Sequence, residues 1–342
     1  MSQNDNTKKS SNEKFVNADV IDVHAHIVLA KTFGEAGKYG PEMGGQDGDK
    51  PWFSVGDYRL DGVRYKGSPF MSTEKRLEKM DKAGIDCQVV SPNPLTFLHH
   101  IPTDLAVQFC RIHNDALYEI TSKNNRIKGT AALPMQDIGA AVEELERSVN
   151  ELNMSGGYIG TDLPHALDSI EMDRFYEKCL SLNVPLFIHP SPAGIDSGKG
   201  DRALSKYDLD VVIGFAAQET IAVATLVYGE VLERHQCIDI CLSHGGGSTG
   251  YLFGRMEMAA RNRPWSNSKL RADGGFAEQV GKLWFDNHLN NRESLNLLTN
   301  HIGDDQLVFG TNFSGWDAPD DMGNQRPDPK LAENAKRLLR IS

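Results

Sequence analysis

The sequence predicts an α/β fold, a closed (β/α)8 TIM barrel with an insertion after its first strand. Three observations carry this reading. Short apolar, β-rich runs recur along the chain, each bounded by Gly, Pro, Asn or Asp. Those runs are apolar throughout and are separated by segments of helical spacing, the pattern of parallel β/α units. About eight such units fill the 342 residues, which suits a single barrel. An open doubly wound sheet is the alternative that the same pattern allows.

The strands are expected at 20–27, 87–91, 128–133, 157–160, 185–189, 238–243, 283–285 and 307–310. All are short, and most are rich in Val, Ile, Leu, Phe or Cys, as strands buried on both faces are. Helices are expected at 73–83, where Leu77 and Met80 share a face, and at 140–152, 172–182 and 219–234. Residues 31–72 break the rhythm. They are rich in Gly, Pro and aromatics and read as an insertion or lid between the first strand and its helix. Residues 1–17 read as a flexible polar tail, and 18–342 as one barrel domain.

Composition narrows the function classes. The net charge of −11 argues against a nucleic-acid or anionic-membrane partner. Hydrophobic residues at 39% and charged residues at 24% exclude a disordered chain, and no apolar run reads as a spanning helix. The start, MSQNDNTKKSSNEKF, has no apolar core of a secretory signal. Cys87, Cys110, Cys179, Cys237 and Cys241 are odd in number, scattered and without a CxxC pair. That pattern fits a reducing compartment. A cytoplasmic homo-oligomer is expected, with a small anionic substrate as its partner.

Chemistry in a barrel sits where strands end, at the C-terminal face. The first strand ends in Asp22-Val23-His24-Ala25-His26, the fifth in Ile188-His189-Pro190, the sixth in Ser243-His244-Gly245-Gly246-Gly247 and the eighth in Gly310-Thr311-Asn312-Phe313. His24 and His26 stand two apart on a strand, so both rings face the same way and can chelate one metal ion. HxH alone is a weak signal. Joined to His189, His244 and a polar residue closing the eighth strand, it is a strong one.

These stretches resemble the amidohydrolase superfamily, in particular the branch of aminocarboxymuconate-semialdehyde decarboxylase. The likeness runs from about residue 19 to the end and includes Ala131–Gln136, Gly254-Arg255 and Glu333-Asn334-Ala335. The branch contains nonoxidative decarboxylases, carbon–carbon bond hydrolases and a hydratase. The resemblance implies one divalent metal ion, zinc first and manganese second, held by His24, His26 and His189. It makes His244 an acid/base that does not bind the metal. Imidazole donors suit zinc, and a catalytic site keeps one coordination position open. The fourth strand ends in Gly157-Tyr158-Ile159-Gly160-Thr161 without the bridging Lys of two-metal relatives, which favours one ion.

The sequence departs from the branch at Asn312, where relatives carry a carboxylate. An amide can offer its carbonyl oxygen but cannot accept a proton at neutral pH. Its neutrality leaves one more positive charge in the site, favouring an anionic substrate. Three readings stand: a subgroup relying on His244 alone, an introduced Asp→Asn change, or replacement by Asp317, Asp320 or Asp321 on the same loop. Substrate anchors by resemblance are Arg64 and Arg255, whose forks suit carboxylates, and the pair His99-His100. Asp286, ending the seventh strand, is expected to orient His244 or stabilise its protonated form, with capping of the next helix as the alternative.

The expected activity is metal-dependent nonoxidative decarboxylation of a small aromatic or muconate-like acid, a carboxy-lyase. The alternatives are hydrolysis of a carbon–carbon bond in a ring-cleavage product, hydration, or a non-catalytic ligand binder.

Overall fold

The computed structural model describes residues 12–192, 200–318 and 326–341. Eight parallel strands form the barrel. They are β1 (Ile21–Ile27), β2 (Cys87–Pro92), β3 in two pieces (Ile127–Gly129 and Ala131–Ala132), β4 (Gly157–Gly160), β5 (Leu186–His189), β6 (Ile240–Leu242), β7 (Trp284–Asp286) and β8 (Leu307–Val308). Each pairs with its neighbours in sequence order. Closure between β8 and β1 comes from Val23 N–H donating to Phe309 O at 2.9 Å and Phe313 N–H donating to His24 O at 3.1 Å. The expected strands and the barrel are therefore present, with ends shifted by one or two residues.

One long helix follows each strand: α1 (Thr73–Ala83), α2 (Thr103–Thr121), α3 (Ile138–Asn150), α4 (Asp173–Leu182), α5 (Gly214–Tyr228), α6 (Thr249–Asn262), α7 (Arg292–Ile302) and α8 (Pro329–Leu338). Ser72, Asp137 and Asn291 cap α1, α3 and α7 by accepting from the third residue on. The expected helix 219–234 begins earlier, at Gly214, and is broken where Glu230 takes a left-handed φ of 61°. The stretch Leu209–Tyr228 is long and apolar enough, by length and composition alone, to cross a membrane. Here it bends between Val212 and Gly214 and carries Glu219 into the barrel.

The period of two along each strand sorts apolar from chemical residues. Phe187 precedes His189, Cys241 precedes Ser243 and Trp284 precedes Asp286 on the inner face. The first of each pair joins Val23, Tyr158 and Val308 in the apolar filling of the barrel. The register of β1 against β2 shifts between Asp22 and Ala25. That shift lets the adjacent residues Val23 and His24 line the same interior space. Phe15 is fully buried in the same cluster as Ala335 and Leu338. The expected tail to residue 17 therefore ends sooner, because an aromatic ring finds an apolar seat there and residues 12–16 form a helical turn.

The expected insertion is a small antiparallel sheet, with Trp52–Val55 between Glu42–Gly44 and Tyr58–Asp61. Phe53, Val55 and Tyr65 pack against Leu95, Leu98 and Phe109 of the segment after β2 and of α2. That packing sets the insertion beside the C-terminal rim.

His113 on α2 is buried beside the Phe109 ring. Burial pulls its imidazole down to about 4, against a smaller upward pull from Asn114. The unfolded chain binds that proton near 6.5, so this contribution to stability is whole above 6.5 and is lost as the pH falls toward 4. We expect acidification from pH 7 to 5 to cost about 2 kcal/mol through this group. His113→Leu should flatten the decline of melting temperature over that range. An equally steep decline in the variant would place the sensitivity elsewhere.

Candidate active site

Four strand-end imidazoles converge at the barrel mouth. Ring centroids of His24 and His26 lie 5.1 Å apart, His24 and His189 5.1 Å, His26 and His189 4.7 Å, and His24 and His244 4.8 Å. Each ring is held through Nδ1. His24 Nδ1 meets Asp286 Oδ2 at 2.8 Å, and His244 Nδ1 meets Glu219 Oε1 at 2.9 Å. His26 Nδ1 meets Pro92 O at 3.1 Å, and His189 Nδ1 meets Pro190 O at 2.6 Å. Carboxylates and carbonyls only accept, so Nδ1 carries the hydrogen and Nε2 keeps its lone pair.

Nε2 of His24, His26 and His189 is buried without a hydrogen-bond partner among the described residues. A buried polar atom left unpaired costs about 1–3 kcal/mol, so three on rings gathered at one barrel mouth call for a ligand. Burial holds His24 down to about 4, and His26 and His189 well below their ordinary value. All three are thus neutral donors at pH 7. Their Nδ1 bonds to a carboxylate or carbonyl are the arrangement that orients metal-binding histidines. The donor set fits a divalent transition ion. Distance alone groups His24, His189 and His244, whose ligand atoms lie within 4.8 Å of one another. The orphaned nitrogen is the stronger criterion, and it selects His26.

His244 has a different environment. It takes a φ of 44° and starts a run of left-handed glycines through Gly247. A Cβ on Gly247 would sit 2.1 Å from Ala216 O. Only glycine lets this turn press on the start of α5, and that contact brings Glu219 under the His244 ring. Burial lowers the His244 pKa, but the Glu219 carboxylate outweighs it and pushes the imidazole up to about 9.

A cavity of about 760 Å³ opens above the rings. His26, His189 and Asn312 form part of its floor. Arg64, Lys79 and the aromatic rings of Tyr65, Phe70, Phe215 and Trp316 are among its walls. Tyr58 from the insertion lines this cavity, and burial together with the nearby Asp210 and Asp208 carboxylates of the segment before α5 raises the pKa of its hydroxyl. A side pocket of about 180 Å³ holds Glu219, His244, His288 and Asp317, and shares Asn312 with the larger space.

Several expected site residues lie elsewhere. Arg255 is exposed on α6 and does not line either space among the described residues. His99 is buried, stacked on Phe97, and its Nε2 accepts from Gly160 N–H at 3.0 Å. It props the end of β4 instead of facing the cavity. His100 points to the surface and pairs with Asp162 at 3.6 Å. Asp286 orients His24, and the expected orienting of His244 falls to Glu219. Arg64 does line the cavity, donating to Gly48 O at 2.5 Å. Of the three loop carboxylates, Asp317 reaches the site, while Asp320 and Asp321 lie outside the described residues.

Two residues escaped the sequence reading. Glu219 is the lone charge in an otherwise apolar helix, a signal in itself. His288 stands two residues after Asp286, echoing the Asp22–His24 spacing on β1.

Comparison with known proteins places the chain in a family and supports its fold. The chain is 27% identical over 304 residues to a 2-amino-3-carboxymuconate-6-semialdehyde decarboxylase of Dictyostelium discoideum, covering 86% of this chain and 81% of the relative. It is 28% identical to a gamma-resorcylate decarboxylase of a Rhizobium species, over 61% of this chain and 65% of that one. Among solved structures, a dihydroxybenzoic acid decarboxylase from Polaromonas, with bound manganese and the inhibitor 2-nitroresorcinol, superposes with a TM-score of 0.71. It is 20% identical, and the match covers 94% of this chain and 97% of that one. An IDCase of Metarhizium anisopliae in apo form gives a TM-score of 0.75 at 20% identity, over 96% and 98% of the two chains. The family model described as amidohydrolase matches residues 21–340, and the chain therefore belongs to the amidohydrolase family.

Proposed function

We propose that this protein is a metal-dependent nonoxidative decarboxylase of a small aromatic or unsaturated carboxylate. The observation that carries the reading is the trio of buried, partnerless Nε2 atoms beneath an aromatic-walled cavity that also holds Arg64. The decarboxylase names of the relatives support the reaction type. His24, His26 and His189 hold one divalent ion. When bound, the ion supplies positive charge that polarises a substrate oxygen beside the carboxylate. A histidine set suits zinc, and the manganese in a structural relative keeps that metal in view.

The chain's own groups do the rest. Arg64 attracts the acid and fixes its orientation. The aromatic walls exclude water from the ring or chain. The bond between carbon and the carboxylate breaks, CO2 leaves, and the electron pair stays on carbon. His244, kept protonated by Glu219, delivers a proton from Nε2 to that carbon and regains one from solvent. Asn312 takes up no proton in this scheme. The exposed Ile221, Tyr251, Met258 and Trp265 support a homo-oligomer, which with a cytoplasmic location completes the reading.

Asp317 favours a second reading, hydrolysis of a carbon–carbon bond, because it returns a carboxylate to the site. Burial alone would raise its pKa, but bonds to His288 and Asn312 hold it down to about 2. Such a carboxylate is a poor proton acceptor, which leaves decarboxylation ahead. Incubation with a panel of hydroxylated benzoates and muconate-like acids separates the two: one CO2 per turnover, or two carbon fragments.

His24→Ala and His189→Ala should each lose the ion while circular dichroism stays that of the wild type. Metal content near zero in wild-type protein prepared without chelators would end the metal reading. His244→Ala should keep its metal and lose on the order of 10²–10⁴ in turnover. Loss of the ion in that variant would make His244 a ligand instead. Glu219→Gln should also keep the metal and lower kcat more than KM changes, because it acts only through His244. Unchanged kcat would refute that dependence.

A further inference from the structure

The side chain of Asn312 is bound to one neighbour. Its Nδ2 donates to Asp317 Oδ1 at 2.6 Å, and its Oδ1 has no hydrogen-bond partner among the described residues. Chemistry leaves no freedom in that orientation. Turned over, the amide would set its carbonyl oxygen against a carboxylate oxygen, two acceptors at contact distance. Asp317 is itself held by two further contacts. Its Oδ2 accepts from His288 Nε2 at 3.0 Å, and its carbonyl accepts from Asn290 Nδ2 at 3.0 Å. The backbone is shaped for the same contact. Asn312 has a φ of 46°, which Asn tolerates better than most residues. Gly315 N–H donates to Asn312 O at 2.7 Å, closing a tight turn. A Cβ at Gly315 would lie 2.6 Å from Asn312 Nδ2, so the amide occupies space that only glycine leaves. With Nδ2 turned to Asp317, Oδ1 is the head available to the cavity that His26 and His189 line.

We infer that Asp317 is the positioning residue that locks Asn312 with its carbonyl oxygen toward the histidine cluster, the two residues dividing the work of one strand-end carboxylate. Asn312 presents the neutral oxygen to the ion, and Asp317 carries the charge one residue removed from it. Neither part suffices alone. A free amide would offer its oxygen only part of the time, and Asp317 is spent on Asn312 and His288. The inference rests on the metal reading above, not on which reaction the ion serves.

The test is Zn²⁺ binding to metal-free protein, measured against a chromophoric chelator with no substrate present. Asp317→Ala should weaken Zn²⁺ about 10- to 100-fold, the usual effect of removing a partner of a metal ligand. Gly315→Ala, which pushes on the amide without touching a charge, should weaken it in the same direction. The exchange Asn312→Asp with Asp317→Asn keeps a donor facing an acceptor with the polarity reversed. That double variant should bind Zn²⁺ at least as tightly as wild type and more tightly than Asn312→Asp alone, where two carboxylates face each other. The visible spectrum of the Co²⁺-loaded protein should change in Asp317→Ala, which a loss of general stability would not produce. Wild-type affinity in Asp317→Ala, or no advantage of the exchange over Asn312→Asp, overturns the inference while leaving the metal site standing. Failure of wild-type protein to bind Zn²⁺ overturns both.

Discussion

The site depends on one repeated constraint: each of the four converging imidazoles is tied through Nδ1 to an acceptor. A carboxylate serves His24 and His244, and a backbone carbonyl serves His26 and His189. The ties choose the tautomer, fix the ring planes and aim the Nε2 atoms at a common region. Without them four histidines in a buried mouth would rotate to pair with one another or draw in solvent. With them, the unpaired nitrogens are gathered in one buried region, and that shortage of partners is what an ion relieves.

The supports of these ties reach back into the fold. Asp22, fully buried, accepts from His24 N–H, Thr311 N–H, Thr311 Oγ1 and Gln88 Nε2, joining β1 to β2 and to the end of β8. Gln88 in turn accepts from Arg76, whose second arm donates to His26 O. The buried guanidinium of α1 thus braces the very backbone that carries the HxH pair. Such a network is stable only when each member is satisfied, and here the oxygens and nitrogens meet in closed order.

The barrel was legible because its strands are apolar on both faces and short, a signal confined to each local run of sequence. The HxH pair was legible for the same reason, since spacing along one strand decides which way both rings point. What the chain alone could not reveal were contacts made across the rim. Glu219 lies 25 residues before His244 and reaches it only because Gly247 presses on Ala216. Asp286 was read as a partner of His244, but neighbouring strand ends offered two imidazoles and geometry chose His24. His99 followed a motif, yet burial turned it inward as an acceptor for Gly160. Arg255 sits on a helix, and which face of that helix meets solvent is settled by packing.

Tyr58 of the insertion and Asp210 of the segment before α5 lie close enough to influence each other, and these two stretches contribute none of the Nδ1 acceptors. Walls and chemistry are therefore built from separable stretches of chain. The small sheet of residues 42–61 and the segment before α5 can drift in length and side chains without loosening a single imidazole. Divergence toward a new ligand runs through those walls and leaves the histidine cluster intact.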